Sequence, residues 1–278
     1  MENALIKLKE NVEELSRTEK IVAEYILGNL DEIGSLSIHE LAEKTDVSTS
    51  AIIRMARAIG YQGYKDFKKD LIAAIALDRQ NKTFTGNEIE KDDSFEDIVH
   101  KITQMNIQSL LDTESIMSIS QLKQAVALMK QADHILLYGL GASFIAAKDL
   151  YLKLVRINKT CLLNEDWHLQ LVSAYNSKPS DVAIVFSYSG QTHECITCMN
   201  ELRINQTPII AITRCVDTPV SRLADINLYT TSNESLFRSA AMSSRISSLG
   251  IVDILYTCYA TSTYAYTLKQ LQKTHIKK

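Results

Sequence analysis

The sequence predicts an α/β protein in two parts: an all-α N-terminal domain, then a three-layer α/β/α domain on a mainly parallel five-stranded sheet. Three observations predict it. Up to about residue 77, apolar residues recur at helical spacing, with capping residues between the runs. From His134 onward, short runs rich in Val, Ile and Leu alternate with helical stretches, the pattern of parallel strands joined by crossover helices. Finally, the run V-A-I-V-F at Val182–Phe186 is apolar at every position, as in a strand covered on both faces.

The elements follow in order. Ser16 with Glu19 three residues on is a capping-box pattern, and it precedes Ile21, Val22, Tyr25, Ile26 and Leu30 at helical spacing. A second helix is predicted over 38–44, with Ile38, Leu41 and Ala42 inward. After T-D-V comes S-T-S-A-I-I-R-M-A-R-A-I-G, a helix opened by hydroxyl residues and closed by Gly60 where a left-handed residue is favoured. Two short helices joined by a tight turn form a helix-turn-helix. Of Ile52, Ile53 and Met55, at least two should be buried. A further helix is predicted over 64–77.

Residues 78–93 are polar, lack a sustained period and end in K-D-D, which reads as a connector. The domains are therefore placed at 1–77 and 102–278, with 78–101 between them. Helices resume over 95–111 and 119–131, and strands are predicted over 135–139, 160–163, 182–187, 208–213 and 226–230. Right-handed crossovers place helices on both faces of that sheet.

With 278 residues the chain has room for one small and one medium domain, and 46% hydrophobic with 23% charged residues is ordinary for a soluble globular protein. The first residues are charged throughout, without the apolar core of a signal peptide. No run approaches the roughly 20 apolar residues that span a bilayer. These features place the protein in the cytoplasm, with its five cysteines as reduced thiols. A net charge of −3 argues against nonspecific coating of nucleic acid. Locally the sign flips. Residues 1–47 carry five basic and eleven acidic side chains, whereas 48–72 carry five basic and two acidic ones. Such a flip suits a helix-turn-helix with one DNA-facing side.

Two strand-to-helix junctions carry similar equipment. Gly139, Gly141 and Ser143 follow the first strand, and S-Y-S-G-Q-T, with Ser187, Ser189, Gly190 and Thr192, follows the third. Unsatisfied N–H groups and the positive end of a helix dipole converge at such junctions, which suits an anion and most often a phosphate. Hydroxyls of Ser143, Ser187, Ser189 and Thr192 would complete a neutral donor cradle. The rival reading of a dinucleotide fingerprint fails because G-L-G-A-S-F lacks the third glycine, and no G-K-[ST] phosphate loop occurs. No cofactor is called for. Cys195 and Cys198 have metal-like spacing but no second Cys/His pair, so they read as buried thiols and no metal is expected.

The residues V-S-T-S-A-I-I-R-M-A-R-A-I-G-Y-Q-G-Y-K-D-F-K resemble the helix-turn-helix domain of the RpiR-type family of bacterial sugar-phosphate-responsive regulators. The stretches G-L-G-A-S, H-L-Q-L, S-Y-S-G-Q-T and F-R-S-A-A-M-S-S-R resemble the sugar isomerase (SIS) domain that this family appends. The resemblance implies a sequence-specific transcriptional regulator of sugar metabolism whose affinity for operator DNA is controlled by a phosphorylated sugar. It implies that Ser48, Thr49, Ser50 and Arg54 meet base edges, although capping would equally explain Ser48, Thr49 and Ser50. Arg57, Lys65 and Lys68 would hold DNA phosphates. Ser143, Ser187, Ser189 and Thr192 match the sugar-phosphate site, with sugar hydroxyls falling to Glu234 and to residues 238–245. A homodimer or homotetramer is implied as well. The alternative is a sugar-phosphate isomerase, for which Glu234, His193 and His168 are the candidate acid–base groups. A DNA-reading domain would be out of place on such an enzyme. The tail T-H-I-K-K reads as a solvated end.

Overall fold

In the computed structural model, which describes residues 3–81, 89–231 and 241–275, the chain separates into two units, 1–88 and 89–278. The first is helical: α1 (Ala4–Asn11), a single 3-10 turn at Val12–Glu14, α2 (Arg17–Gly28), α3 (Leu30–Ile33), α4 (Ile38–Thr45), α5 (Thr49–Ala58) and α6 (Tyr64–Asn81). Local chemistry sets the boundaries. The Glu19 carboxylate accepts from Ser16 N–H at 3.1 Å, and Ser37 and Glu40 form a reciprocal capping box at the start of α4. Asp46 closes α4 in the left-handed conformation, φ 50°, and Gly60 ends α5 at φ 93°. Leu5, Leu8, Val22, Ile26, Leu41, Ile52, Met55, Phe67 and Leu71 form the core. Ile21, one of the apolar residues at helical spacing, is 42% exposed, because α2 turns the Val22–Ala23–Ile26 stripe to the core. Helix α6 runs on through Asn81, beyond the predicted end at 77, into the span read as a connector.

The second unit begins with α7 (Phe95–Ser115), which starts inside that span, and α8 (Ile119–Gln131). Then β1 (Ile135–Tyr138), α9 (Ala142–Arg156), β2 (Cys161–Leu163), α10 (Trp167–Tyr175), β3 (Val182–Phe186) and α11 (His193–Ile204) follow. The unit is completed by β4 (Ile209–Arg214), α12 (Pro219–Leu223), β5 (Ile226–Thr230), α13 (Met242–Ser262) and α14 (Tyr264–Lys273). The five strands lie in the order β2-β1-β3-β4-β5, and every pairing is parallel. The register sets Tyr138 beside Val185 and Ile212 beside Phe186.

Alternate residues divide between the two faces, as the period of a strand requires. Ile135, Leu137, Ile184, Phe186, Ile210 and Ile212 pack with Leu150, Leu154, Ile251 and Leu255 of α9 and α13. Leu136, Tyr138, Ala183, Val185, Ile209 and Ala211 pack with Ala174, Met199, Leu202 and Val220 of α10, α11 and α12. The sheet is thus the middle of three layers. No described helix is long and apolar enough to cross a membrane.

Candidate functional site

β1 and β3 are neighbours, so the turns that leave them open at the same end of the sheet, where ligands of parallel α/β sheets bind. After β1 the chain turns through buried Gly139 and through Gly141, φ 55°, into α9. A Cβ on Gly139 would lie 3.1 Å from the Ser143 carbonyl oxygen, a tight approach to backbone that a side chain there would have to push aside. Ser143 is half-buried in the first turn of α9, and its N–H donates to Leu140 O at 3.1 Å.

After β3, Ser187 is only 2% exposed, and its hydroxyl donates to Thr192 Oγ1 at 3.2 Å. Gly190 takes φ 67° and donates its N–H to Ser187 O at 3.1 Å. Ser189 is exposed, and its Oγ accepts from Gln191 N–H at 3.2 Å. Thr192 stands at the N-cap of α11 but does not cap it, because its hydroxyl faces Ser187. Side chains of Ser94, Ser118, Asp166 and Thr218 cap α7, α8, α10 and α12. The helices that follow β1 and β3 have no such cap. Helix N-termini carry the partial positive charge that favours an anion, and here no side chain caps them.

The structure therefore brings Ser143, Ser187, Ser189 and Thr192 to two adjoining turns, with Ser187 as an inner support rather than a surface donor. Glu234 and Arg238 lie outside the described residues. His168 is exposed and stacks on Trp167 with ring centroids 4.8 Å apart, and His193 is exposed at the first position of α11. Cys195 and Cys198 are buried against Met199 and Leu202, and burial pushes their thiols up to about 12 and about 11. Among the described residues no group of His, Cys, Asp and Glu could hold a metal ion. Gln170, part of the H-L-Q-L stretch but given no role of its own there, is a buried side chain of α10 that bonds to Gly139.

In the first unit, α4 and α5 make the helix-turn-helix. Ser48 accepts from Ala51 N–H at 3.3 Å and so caps α5. Ser50 and Arg54 are exposed on that helix, and Thr49 is half-buried. Arg54 Nε lies 3.7 Å from Glu19 Oε1. Arg57 closes the turn after α5 by donating from Nε to Gln62 O at 3.2 Å. Lys68, expected to hold phosphate, donates from Nζ to Leu36 O at 2.6 Å and ties α6 to the segment before α4. Its neighbour Lys69 lines a groove of about 790 Å³ together with Arg57, Lys65, Ile38, Ile53 and Tyr64.

A helix-turn-helix together with a parallel α/β domain whose adjoining strand ends meet uncapped helix starts is the make-up of a ligand-responsive DNA-binding protein. Residues 2–78 match the model of the helix-turn-helix domain, rpiR family, and residues 128–258 match that of the SIS domain. An uncharacterised HTH-type transcriptional regulator of Caldanaerobacter subterraneus subsp. tengcongensis is 34% identical over 99% of this chain and 96% of its own. The chain belongs to the RpiR family of helix-turn-helix transcriptional regulators. The Vibrio vulnificus NanR protein, solved in complex with ManNAc-6P, is 30% identical, with 98% of this chain and 96% of that one covered and a TM-score of 0.61. Phosphoheptose isomerase GmhA of Neisseria gonorrhoeae is similar in fold alone, at 15% identity, 60% of this chain and 100% of that one, and a TM-score of 0.51.

Proposed function

We propose that this chain regulates genes of sugar metabolism and that a phosphorylated sugar, held in the SIS unit, sets its affinity for operator DNA. One observation carries the reading: α9 and α11, helices without side-chain caps on opposite faces of the sheet, begin at the adjoining ends of β1 and β3 in a chain that also holds a DNA reader. The phosphate is bound by their N–H groups and by the hydroxyls of Ser143, Ser189 and Thr192, with Ser187 orienting Thr192. Hydrogen bonds to a charged group are worth about 1.5–3 kcal/mol each and are not additive. A handful suffices for the micromolar range of a metabolite sensor. Sugar hydroxyls fall to Glu234 and to the segment from Arg238 to Arg245. The ManNAc-6P held by NanR makes phosphorylated N-acyl amino sugars the first class to test.

On DNA, Thr49, Ser50 and Arg54 meet base edges, while Arg57, Lys65 and Lys69 hold phosphates. The protein acts in the cytoplasm as a homodimer or homotetramer. Support for self-association comes from exposed apolar side chains around the β2 edge: Ile145 and Leu152 of α9, Leu162 of β2, and Leu169 and Val172 of α10. Paired readers match half-sites about 34 Å apart or a multiple of that, so effector-driven rotation changes operator affinity. By linkage, DNA changes sugar affinity by the same factor. The sugar is bound and not turned over.

The test is operator binding titrated with ManNAc-6P and with unphosphorylated ManNAc, the sugar being recovered afterwards. A shift with the phosphorylated form alone, and unchanged sugar, is expected. Conversion of the sugar without DNA binding would establish the isomerase instead.

A further inference from the structure

The carboxamide of Gln170 reaches from α10 to the turn between β1 and α9. Its Oε1 accepts from Gly139 N–H at 3.1 Å, and its Nε2 donates to Gly139 O at 3.0 Å and to Asn164 O at 2.9 Å. The side chain is 3% exposed. A carboxamide suits this place because it offers an acceptor and two donors on one planar group. To Gly139 it presents what a neighbouring strand would, so the ladder is continued one residue beyond Tyr138, at the point where β1 leaves the sheet.

Gly139 is followed within three residues by the start of α9, a helix without a side-chain cap. The direction of that N-terminus therefore depends on where Gly139 is held. The third bond, to Asn164, ties the same amide to the segment between β2 and α10. α10 itself carries Leu169 and Val172 exposed beside the buried Gln170.

We propose that Gln170 is the positioning residue of the anion cradle: it fixes Gly139 so that α9 points at the ligand, and it couples occupancy of the cradle to the placement of α10. The proposal rests on the reading of the two turns as a phosphate site. Gln170 does not touch the ligand. It acts through the Gly139 backbone, and a ligand that draws on the α9 N-terminus draws on α10 through the same amide.

The experiment measures binding of inorganic phosphate and of ManNAc-6P to the full chain by calorimetry. Gln170→Leu keeps the size and removes all three bonds. It is expected to weaken both probes at least tenfold. Gln170→Glu is isosteric; ionised, it sets a carboxylate against the carbonyls of Gly139 and Asn164, and protonated, it regains one donor. Its affinity relative to wild type at the same pH is therefore expected to be poor at pH 8 and to recover toward pH 5.5. Thr207→Val is the control for stability. Thr207 is 1% exposed and donates to Ser177 Oγ at 2.9 Å, beyond the other end of α10, so its loss destabilises the same unit without touching Gly139. It is expected to leave the affinity of both probes unchanged. Wild-type affinity in the Gln170 variants, an equal loss in the Thr207 control, or no pH-dependent recovery each overturns the proposal alone. If wild type itself binds neither probe, the phosphate-site reading falls, and this proposal with it.

Discussion

Gly190 and Thr218 are packed so closely that a methyl group on Gly190 would lie 2.6 Å from Thr218 Cβ, and closer still to its hydroxyl. Val220 N–H reinforces the contact by donating to Gly190 O at 3.2 Å. The turn after β3 is thereby fastened to the start of α12, and the glycine is required twice, by its φ of 67° and by this contact.

Gly190→Ala should therefore destabilise the SIS unit by about 2–5 kcal/mol, from a left-handed alanine and from overpacking together. Urea unfolding measures it. Thr218→Ala removes two of the three clashing atoms, so in the double variant part of the loss should return as a coupling term. Strict additivity would mean that the contact is not what constrains the turn.

Lys68 and Lys69 should separate in kind. Lys68→Met strands the Leu36 carbonyl and should cost about 1–2 kcal/mol of stability while leaving the salt dependence of operator binding unchanged. Lys65→Gln and Lys69→Gln should each leave stability alone and reduce the slope of log affinity against log salt by about 1. Filter-binding titrations over a salt series read the slope.

Arg54→Ala should weaken operator binding by about 1–3 kcal/mol and relax the sequence preference at one base pair, with sugar-phosphate affinity intact. Competition against scrambled DNA distinguishes this from a uniform loss. A uniform loss would move Arg54 to the phosphate-holding group.

Stability should fall at alkaline pH. Burial raises Cys195 from 9.0 to about 12, Cys198 from 9.0 to about 11 and Cys161 from 9.0 to about 11. Above pH 9.0 the unfolded chain releases these protons while the folded chain retains them. The contribution is thus full below the unfolded value and lost as pH rises toward the folded ones. Replacing Cys195 and Cys198 together by alanine should flatten the decline in melting temperature above pH 9.0. An unchanged slope would place the alkaline sensitivity elsewhere, for instance at Tyr64, which burial raises to about 12.

Much of this architecture is written locally. Val182–Phe186 is apolar throughout because both of its faces are covered, and Ser16 and Ser37 announce their helices through a glutamate three residues on. The serines and glycines of the two turns are legible for the same reason, since a turn needing φ above zero selects glycine locally. The contact between Gln170 and Gly139 was not legible, although the residue sits in the H-L-Q-L stretch. Its role depends on α10 being folded back beside the end of β1, and nothing near position 170 encodes that neighbour. The contact of Lys68 is hidden for the same reason: its charge is visible in the sequence, and its partner, a carbonyl 32 residues earlier, is not. Ile21 likewise fits a helical stripe, but small Ala23 takes the inward position.

The strand order has a temporal consequence. Residue 135 of β1 pairs with residue 182 of β3, so the two turns of the proposed cradle lie on chain segments that leave the ribosome far apart. The helical unit is complete by Asn81. At about 5–20 residues per second, translation reaches Thr192 on the order of ten seconds later. Every newly made molecule thus passes through an interval in which its reader can fold while its receptor for the signal does not yet exist.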